Sequence, residues 1–213
     1  MRKKILAALV GVPAVLALAA TGSATANAGS APTSTNAEAS SFTAMLNPVP
    51  GNHVDASGWA HVSLNGDWAT VTIKVRGLIM APHAMHIHFK GEGECPTLPD
   101  ATMHNGHRAM STTDGLADYG PIGTSLTTRG DTSPASALAI TRFPQTGSFT
   151  YVRTIKLDDA VAEDVRTGLA VIVVHGIDYN HNNTYDNVLG VSDLTTTLPM
   201  EATAPAICGP LSN

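Results

Sequence analysis

Apolar and polar residues alternate along much of the chain after residue 41, which is the pattern of half-buried antiparallel strands. In residues 69–78, ATVTIKVRGL, nearly every second side chain is apolar, whereas Thr72, Lys74 and Arg76 share the opposite face. Strand-like patterns also occur in FTAMLNPV, GWAHVSLN, MHIHF, SALAIT, GSFTYVRTIKL and LAVIVVHGI. The sequence NGD at residues 65–67 predicts a tight hairpin between two of these strands.

One segment has helical rather than strand character. Residues 158–168, DDAVAEDVRTG, can begin with Asp158 or Asp159 as the N-terminal cap and end at Gly168. The segment between Gly91 and Leu126 has no convincing strand pattern, and loops of that length are usually functional. Short strands, frequent turn residues and little helix predict an all-β antiparallel sandwich or barrel with one short helix.

The start of the chain indicates where the protein acts. Residues 2–4 are basic, residues 5–20 are almost entirely apolar, and ANA at residues 26–28 offers small side chains for cleavage. We therefore expect residues 1–28 to be a secretory signal peptide and the mature protein to be extracellular. Residues 29–41 are small and polar and predict a disordered linker, which leaves residues 42–213 as one domain.

Charge excludes some classes of partner. The chain has 17 acidic and 12 basic residues, and the predicted signal peptide holds three of the basic ones. Its removal would change the formal net charge from −5 to −8. Such a surface repels nucleic acid and anionic lipid, so we expect neither as a partner.

Cysteine usage fits the same compartment. Cys95 and Cys208 are the two cysteines of the chain. An even pair in an exported protein predicts a disulfide, and the alternative is two free thiols or a thiolate metal site.

Histidines are concentrated in two strand segments. In HAMHIHF, residues 83–89, His86 and His88 leave the same face of a strand, with Cα atoms roughly 6.5–7 Å apart. In VIVVHG, an apolar run delivers His175 to the end of another strand. Imidazoles at this spacing can bind one ion, and imidazole suits copper, zinc, iron and nickel. We predict a metal site here, with hydrogen-bonded histidines as the alternative.

Three motifs, AMHIHFKGEGEC, AVIVVHG and AICG, occur in the order and character found in Cu/Zn superoxide dismutases, so the chain resembles that family. The resemblance covers about residues 57–95 and 169–209, and it implies a Greek-key β-sandwich with a long metal-site loop. The stretch GWAHVSLNGDWATVTIKVRGL with the following HIH also resembles the CHRD domain. That second resemblance implies a non-catalytic extracellular metal-binding or interaction module.

The dismutase resemblance implies His86, His88 and His175 as three copper ligands. The fourth copper ligand of that family follows the disulfide cysteine, where His107 is our first choice and His104 the alternative. The family's zinc site needs further histidines, and residues 110–130 contain none. We therefore expect copper without zinc.

Catalysis is a separate question, because the family places an arginine three residues before the terminal cysteine and this chain has Pro205 there. Arg108, close in sequence to the candidate ligands, is a candidate guide for an anionic substrate instead. As an enzyme, the protein is expected to convert superoxide to oxygen and hydrogen peroxide. The alternative is the non-catalytic binding module.

The segment DYNHNNTYD, residues 178–186, is a second candidate metal site. Oxygen donors recur at every second position: Asp178, Asn180, Asn182, Thr184 and Asp186. Ca²⁺ prefers oxygen-rich loops of this spacing, although Asn183 replaces the usual glycine at the sixth place. An Asx-rich turn that needs no ion is the alternative.

Overall fold

The structure, a computed structural model, describes residues 39–213. The predicted signal peptide and all but the last three residues of the predicted linker lie outside this range. The strands are β1 (Ser40–Pro48), β2 (Ser57–Asn65), β3 (Trp68–Arg76), β4 (Met85–His88), β5 (Thr102–His104), β6 (His107–Ala109), β7 (Ile122–Ser125), β8 (Phe149–Lys156), β9 (Val171–His175) and β10 (Pro205–Pro210). The helices are α1 (Leu116–Tyr119), α2 (Asp159–Thr167) and α3 (Met200–Thr203).

Eight strands form one antiparallel sheet in the order β7-β4-β9-β10-β1-β2-β3-β8. The sheet divides at β1, which pairs with β2 from Ser40 to Leu46 and with β10 at Asn47 and Pro48. We call β1, β2, β3 and β8 the open half, and β7, β4, β9 and β10 the covered half. This architecture confirms the prediction of an all-β antiparallel sandwich or barrel.

The main hydrophobic core lies between the two halves. It combines inward side chains of the open half, such as Val62 and Ile73, with Ile87, Ile172 and Ile207 of the covered half. Alternate residues of β1, β2 and β3 are buried, as their sequence pattern predicts. The hairpin between β2 and β3 turns at Gly66, whose φ of 56° suits the first central position of a two-residue turn.

The covered half has a second layer on its other face. Val171, Val173 and Cys208 pack there against residues of the long segment that follows β4, including Met110 and Tyr119. The disulfide Cys95–Cys208 joins that segment to β10 across a sequence separation of 113 residues, which confirms the predicted bridge. Among the described residues, no helix has the length and apolar character needed to span a bilayer.

Helix α2 confirms the predicted helix, with the Asp158 side chain accepting a hydrogen bond from the Ala160 N–H and Gly168 ending the helix at φ 77°. Two other expectations were wrong. Residues 136–141, SALAIT, do not form a strand but belong to a segment with 3-10 turns at Pro134–Ser136 and Ile140–Arg142. The segment between Gly91 and Leu126 contains β5, β6, α1 and β7, elements of three or four residues that are too short to show a period.

Candidate metal centre

His86, His88 and His175 meet on the face of the covered half that points away from the main core. His86 lies opposite Val173 and His88 opposite Val171, so these four side chains share one face of the β4–β9 pair. His175 ends β9, and its N–H donates to the carbonyl of Ala84 just before β4. The register of two neighbouring strands therefore brings the predicted ligands together.

The three rings are close enough to share an ion. Ring centroids are 4.9 Å apart for His86 and His175, 5.7 Å for His86 and His88, and 5.9 Å for His88 and His175. One nitrogen from each ring lies within 4.8 Å of the other two. Within residues 39–213, this cluster is the one group of three that could hold a metal ion.

Backbone carbonyls fix which nitrogen of each ring faces the cluster. The rings donate from His86 Nε2 to Ala137 (3.2 Å), from His88 Nδ1 to Gly120 (2.7 Å) and from His175 Nδ1 to Thr203 (2.7 Å). Because a carbonyl can only accept, each of these nitrogens carries the proton when the ring is neutral. The opposite nitrogens, His86 Nδ1, His88 Nε2 and His175 Nε2, are buried and have no hydrogen-bond partner among the described residues.

Burial also keeps the rings neutral. Loss of solvation lowers the pKa of His88 to about 3 and that of His175 to about 4, and it lowers the pKa of His86 well below 6.5. Repulsion from a protonated neighbour, chiefly His175, is a second and smaller cause of these low pKa values for His86 and His88. A neutral imidazole with a free lone pair is the form that binds metals, so the centre is prepared for an ion at neutral pH.

The carbonyl of Ala137 belongs to a segment that is braced by side chains. The Asp131 carboxylate accepts hydrogen bonds from the hydroxyls of Ser133 (2.7 Å) and Ser136 (2.5 Å), which lower its pKa to about 2. The Arg142 guanidinium also donates to the Ser136 hydroxyl at 2.7 Å. These contacts hold residues 131–142 over His86 as a cover.

Local contacts also fix the segments that carry the carbonyls of Gly120 and Thr203. Gly120 has a φ of 78°, and a side chain there would collide with the Phe89 carbonyl, so only glycine fits. The Tyr119 ring lies beside the His88 ring, with centroids 4.5 Å apart.

At the end of β9, the buried Glu201 carboxylate accepts hydrogen bonds from the N–H groups of Tyr179 and Asp186, and thereby fastens the loop after His175 to α3.

A small apolar pocket borders His86, His175 and Thr203. Its remaining lining is aliphatic: Ala84, Ala137, Leu138, Ile140, Leu194, Leu198 and Ala202. Among residues 39–213, no charged side chain lines the pocket. The carboxylate of Asp193 tends to raise the pKa of His175 against the stronger effect of burial.

Neither predicted fourth ligand reaches the cluster. His104 and His107 face each other across the β5–β6 hairpin, where His104 Nε2 contacts the Asp114 carboxylate at 2.7 Å. The exposed His107 ring lies edge-on to Tyr179, with centroids 5.5 Å apart. A hairpin with three-residue strands keeps both rings on the surface side of the loop, so the cluster has three histidines.

Arg108 does not line the pocket either. Its guanidinium donates to the carbonyls of Ala101 and Leu98, at 3.3 and 3.1 Å, and so braces the loop before β5. His83, the third histidine of the HAMHIHF motif, is buried behind the cluster. Its Nδ1 lies 2.9 Å from the carbonyl oxygen of His175 and its Nε2 lies 3.0 Å from that of Ile79.

The predicted calcium loop is closed by its own hydrogen bonds. The Asp178 carboxylate accepts from the N–H groups of Asn182 and Asn183, and the Asp186 carboxylate accepts from the side-chain amides of Asn180 and Asn182. Thr184 donates its N–H to the Asn182 side chain. This is the pattern of an Asx-rich turn, in which the oxygens of Asp178, Asn182 and Asp186 accept hydrogen bonds from the loop itself.

No protein-family model matches the chain, and no curated protein matches it as a relative. The resemblance to dismutases therefore depends on the three sequence motifs alone. What is established is an all-β domain with one disulfide and a buried three-histidine cluster that could hold a metal ion.

Proposed function

We propose that the protein is an exported copper-binding protein with a dismutase-like sandwich, and that His86, His88 and His175 hold one copper ion. The observation that carries this proposal is the convergence of three buried nitrogens that lack hydrogen-bond partners. Leaving a buried polar group unpaired costs about 1–3 kcal/mol. An ion bound to all three nitrogens would remove the free-energy cost of leaving each of them unpaired.

The donor set favours copper. Three imidazoles suit several first-row metals, but affinity for divalent ions is highest for Cu²⁺. Both cysteines are committed to the disulfide, and no carboxylate joins the cluster among the described residues. The carbonyls of Ala137, Gly120 and Thr203 would orient the ligand rings, as the outer contacts of metal-binding histidines generally do.

Superoxide disproportionation is the second candidate function. It is supported by the small apolar pocket that borders His86 and His175, since this is the side from which a small substrate would approach the ion. Bound copper would supply a one-electron couple for this reaction. The aliphatic lining and the nearby Asp193 carboxylate, however, offer nothing to attract an anion. For this reason copper binding without catalysis is the function that we place first.

Copper stoichiometry tests the proposal. We expect the purified protein to bind one copper ion per chain, and His86→Ala/His175→Ala to lose this binding. The matched control is His104→Ala/His107→Ala, which removes two histidines outside the cluster and should keep full stoichiometry. Equal binding by the cluster variant and the parent protein would contradict the proposal.

The decay of superoxide separates the two candidate functions. Copper-loaded protein and the cluster variant are compared at equal protein concentration. If the protein binds copper but does not accelerate superoxide decay, it is a copper-binding protein and not a dismutase. Decay that is accelerated only by the copper-loaded parent protein establishes the enzyme.

Calcium is tested by thermal unfolding. A ligand that binds only the folded state must raise the melting temperature. Because the carboxylates of Asp178 and Asp186 already accept hydrogen bonds within the loop, we expect millimolar Ca²⁺ to leave the melting temperature unchanged. A rise that is absent in Asp178→Asn would establish a calcium site.

A further inference from the structure

The outer face of the open half has an unusual charge distribution. The strands β1, β2, β3 and β8 contain no aspartate or glutamate, although the whole chain has 17 acidic residues. Lys74, Arg76 and Lys156 are exposed on this face, and among the described residues none of them forms an ion pair. A cationic face without acidic residues therefore lies on a protein with negative net charge.

The same face presents large apolar side chains to solvent. Trp59, Trp68 and Met45 are 41%, 57% and 68% exposed. Strand register places Met45, Trp59 and Lys74 side by side in one row across the sheet, and Trp68 beside Lys156 in another. The two tryptophans lie roughly 20 Å apart along the strands, at about 3.3 Å per residue. Each tryptophan thus has a cation as its direct neighbour.

Hydroxyl side chains predominate on the face between the two tryptophans, where His61 and Val152 are also outward. The outward residues of the intervening rows include Thr43, Ser63, Thr70, Thr72 and Thr154. A shallow groove at one end is lined by Met45, Ser57, Trp59, Lys74 and Arg76, together with Gly58 and Val75. The Ser57 hydroxyl accepts from Arg76 Nε at 3.1 Å, which leaves the other guanidinium nitrogens free. Two acids flank these strands: Asp67, which follows β2, is paired with Arg166, and Asp55 lies two residues before Ser57.

We propose that this face binds an anionic polysaccharide. Tryptophan rings stack on the apolar faces of sugar rings, hydroxyls exchange hydrogen bonds with sugar hydroxyls, and lysine and arginine pair with carboxylate or sulfate groups. The outer face of the open half, with a tryptophan near each end, suits an extended chain. The site is separate from the metal centre, and the proposal does not depend on copper.

Other occupants fit the face less well. A symmetric dimer through this face would set Lys74 and Arg76 against the same groups of a second copy, with no carboxylate between them. Nucleic acid carries dense charge, so three cations on an acidic protein would be a weak match. Anionic membranes are usually recognised by larger clusters of about 4–8 basic residues.

Binding of soluble polygalacturonate to the full protein tests the proposal. Affinity is measured by tryptophan fluorescence and by electrophoresis through gels containing the polymer. The matched probe is the fully methyl-esterified polymer, which has the same sugar chain without the negative charge. We expect polygalacturonate to bind, to bind less tightly as salt is added, and to bind more tightly than the ester.

Variants locate the binding. We expect Lys74→Ala/Arg76→Ala and Trp59→Ala each to weaken binding by about tenfold or more, the loss typical of a central contact residue. The matched control, Lys90→Ala/Arg129→Ala, removes the same charge from exposed positions outside the open half and should change affinity by less than about twofold. Unchanged melting temperature and copper stoichiometry show that each variant is folded.

Four results would overturn the proposal. The first is no binding of polygalacturonate at low salt, and the second is an equal loss of affinity in the control variant. The third is tighter binding of single-stranded DNA or of anionic vesicles than of polygalacturonate. The fourth is a stable dimer that Trp59→Ala dissociates, since the face would then be an interface between two copies.

Discussion

The two halves of the sheet bury their residues in different ways. In β4 and β9 of the covered half every residue is buried, whereas the strands of the open half alternate between buried and exposed positions. The difference comes from the loops, which cover only one half. None of the fully buried polar side chains among the described residues lies in a strand of the open half.

The two halves therefore suit different kinds of binding site. A buried histidine needs a partner for its N–H, and only the covering segments supply carbonyls at the right places. The open half has water on its outer face, so its polar side chains stay solvated and available for surface contacts. The three-histidine cluster and the proposed polysaccharide face therefore belong to opposite halves for a physical reason.

The largest effect is expected from removal of the disulfide, which joins the covering segment to the covered half. Its loop of more than a hundred residues predicts a loss of about 4–5 kcal/mol from the free energy of unfolding in Cys95→Ala/Cys208→Ala. Urea denaturation measures the loss, and hydrogen exchange should show that β4, β9 and β10 lose protection first. Equal loss of protection in β2 and β3 would show that the halves unfold as one unit.

A matched pair of valines compares the two outer faces directly. Val173 is fully buried under the covering segments, whereas Val152 on the open half is 63% exposed. We expect Val173→Ala to lower the free energy of unfolding by about 2 kcal/mol and Val152→Ala by less than about 0.5 kcal/mol. Similar values from urea denaturation would mean that the cover is loosely packed.

The buried histidines predict a pH dependence for the metal-free protein. Their pKa values are lowered to about 3 for His88 and about 4 for His175, so between these values and 6.5 the unfolded chain binds more protons than the folded one. Stability should be full above pH 6.5 and decrease as the pH falls, by at most about 1.4 kcal/mol per pH unit for each histidine. Urea denaturation at a series of pH values measures this slope.

Two substitutions identify the source of that slope. His88→Gln should make it shallower, because one buried imidazole no longer takes up a proton on unfolding. The control is His61→Gln, which replaces a histidine on the partly exposed outer face of the open half. An unchanged slope in His88→Gln would show that other groups cause the acid sensitivity.

The smallest effect concerns the cover above His86. Asp131→Ala removes the carboxylate that holds Ser133 and Ser136, and so loosens the segment that presents the Ala137 carbonyl. Because such outer contacts usually change metal affinity by about 10–100-fold, we expect a decrease of about tenfold in copper affinity. Competition with a copper chelator measures it. The control Asp55→Ala removes an equal charge before β2 and should leave the affinity unchanged.

The local pattern of the chain was sufficient for several features. Alternation predicted the strands of the open half, because successive side chains of a β-strand point to opposite faces of the sheet. The same rule placed His86 and His88 on one face, and the caps at Asp158 and Gly168 predicted α2. Each of these features depends on residues that are close together in the chain.

Features that depend on distant contacts were decided only by the tertiary structure. The carbonyls that orient the three histidines lie 51, 32 and 28 residues away in sequence, and every residue type has a carbonyl, so no sequence signal could identify them. Residues 136–141 have a strand-like pattern but form the cover, because packing over His86 decides their conformation. His104 and His107 had suitable spacing after Cys95, but a short hairpin keeps them away from the cluster. Sequence period determines which way a side chain points, and only the folded chain determines what lies opposite it.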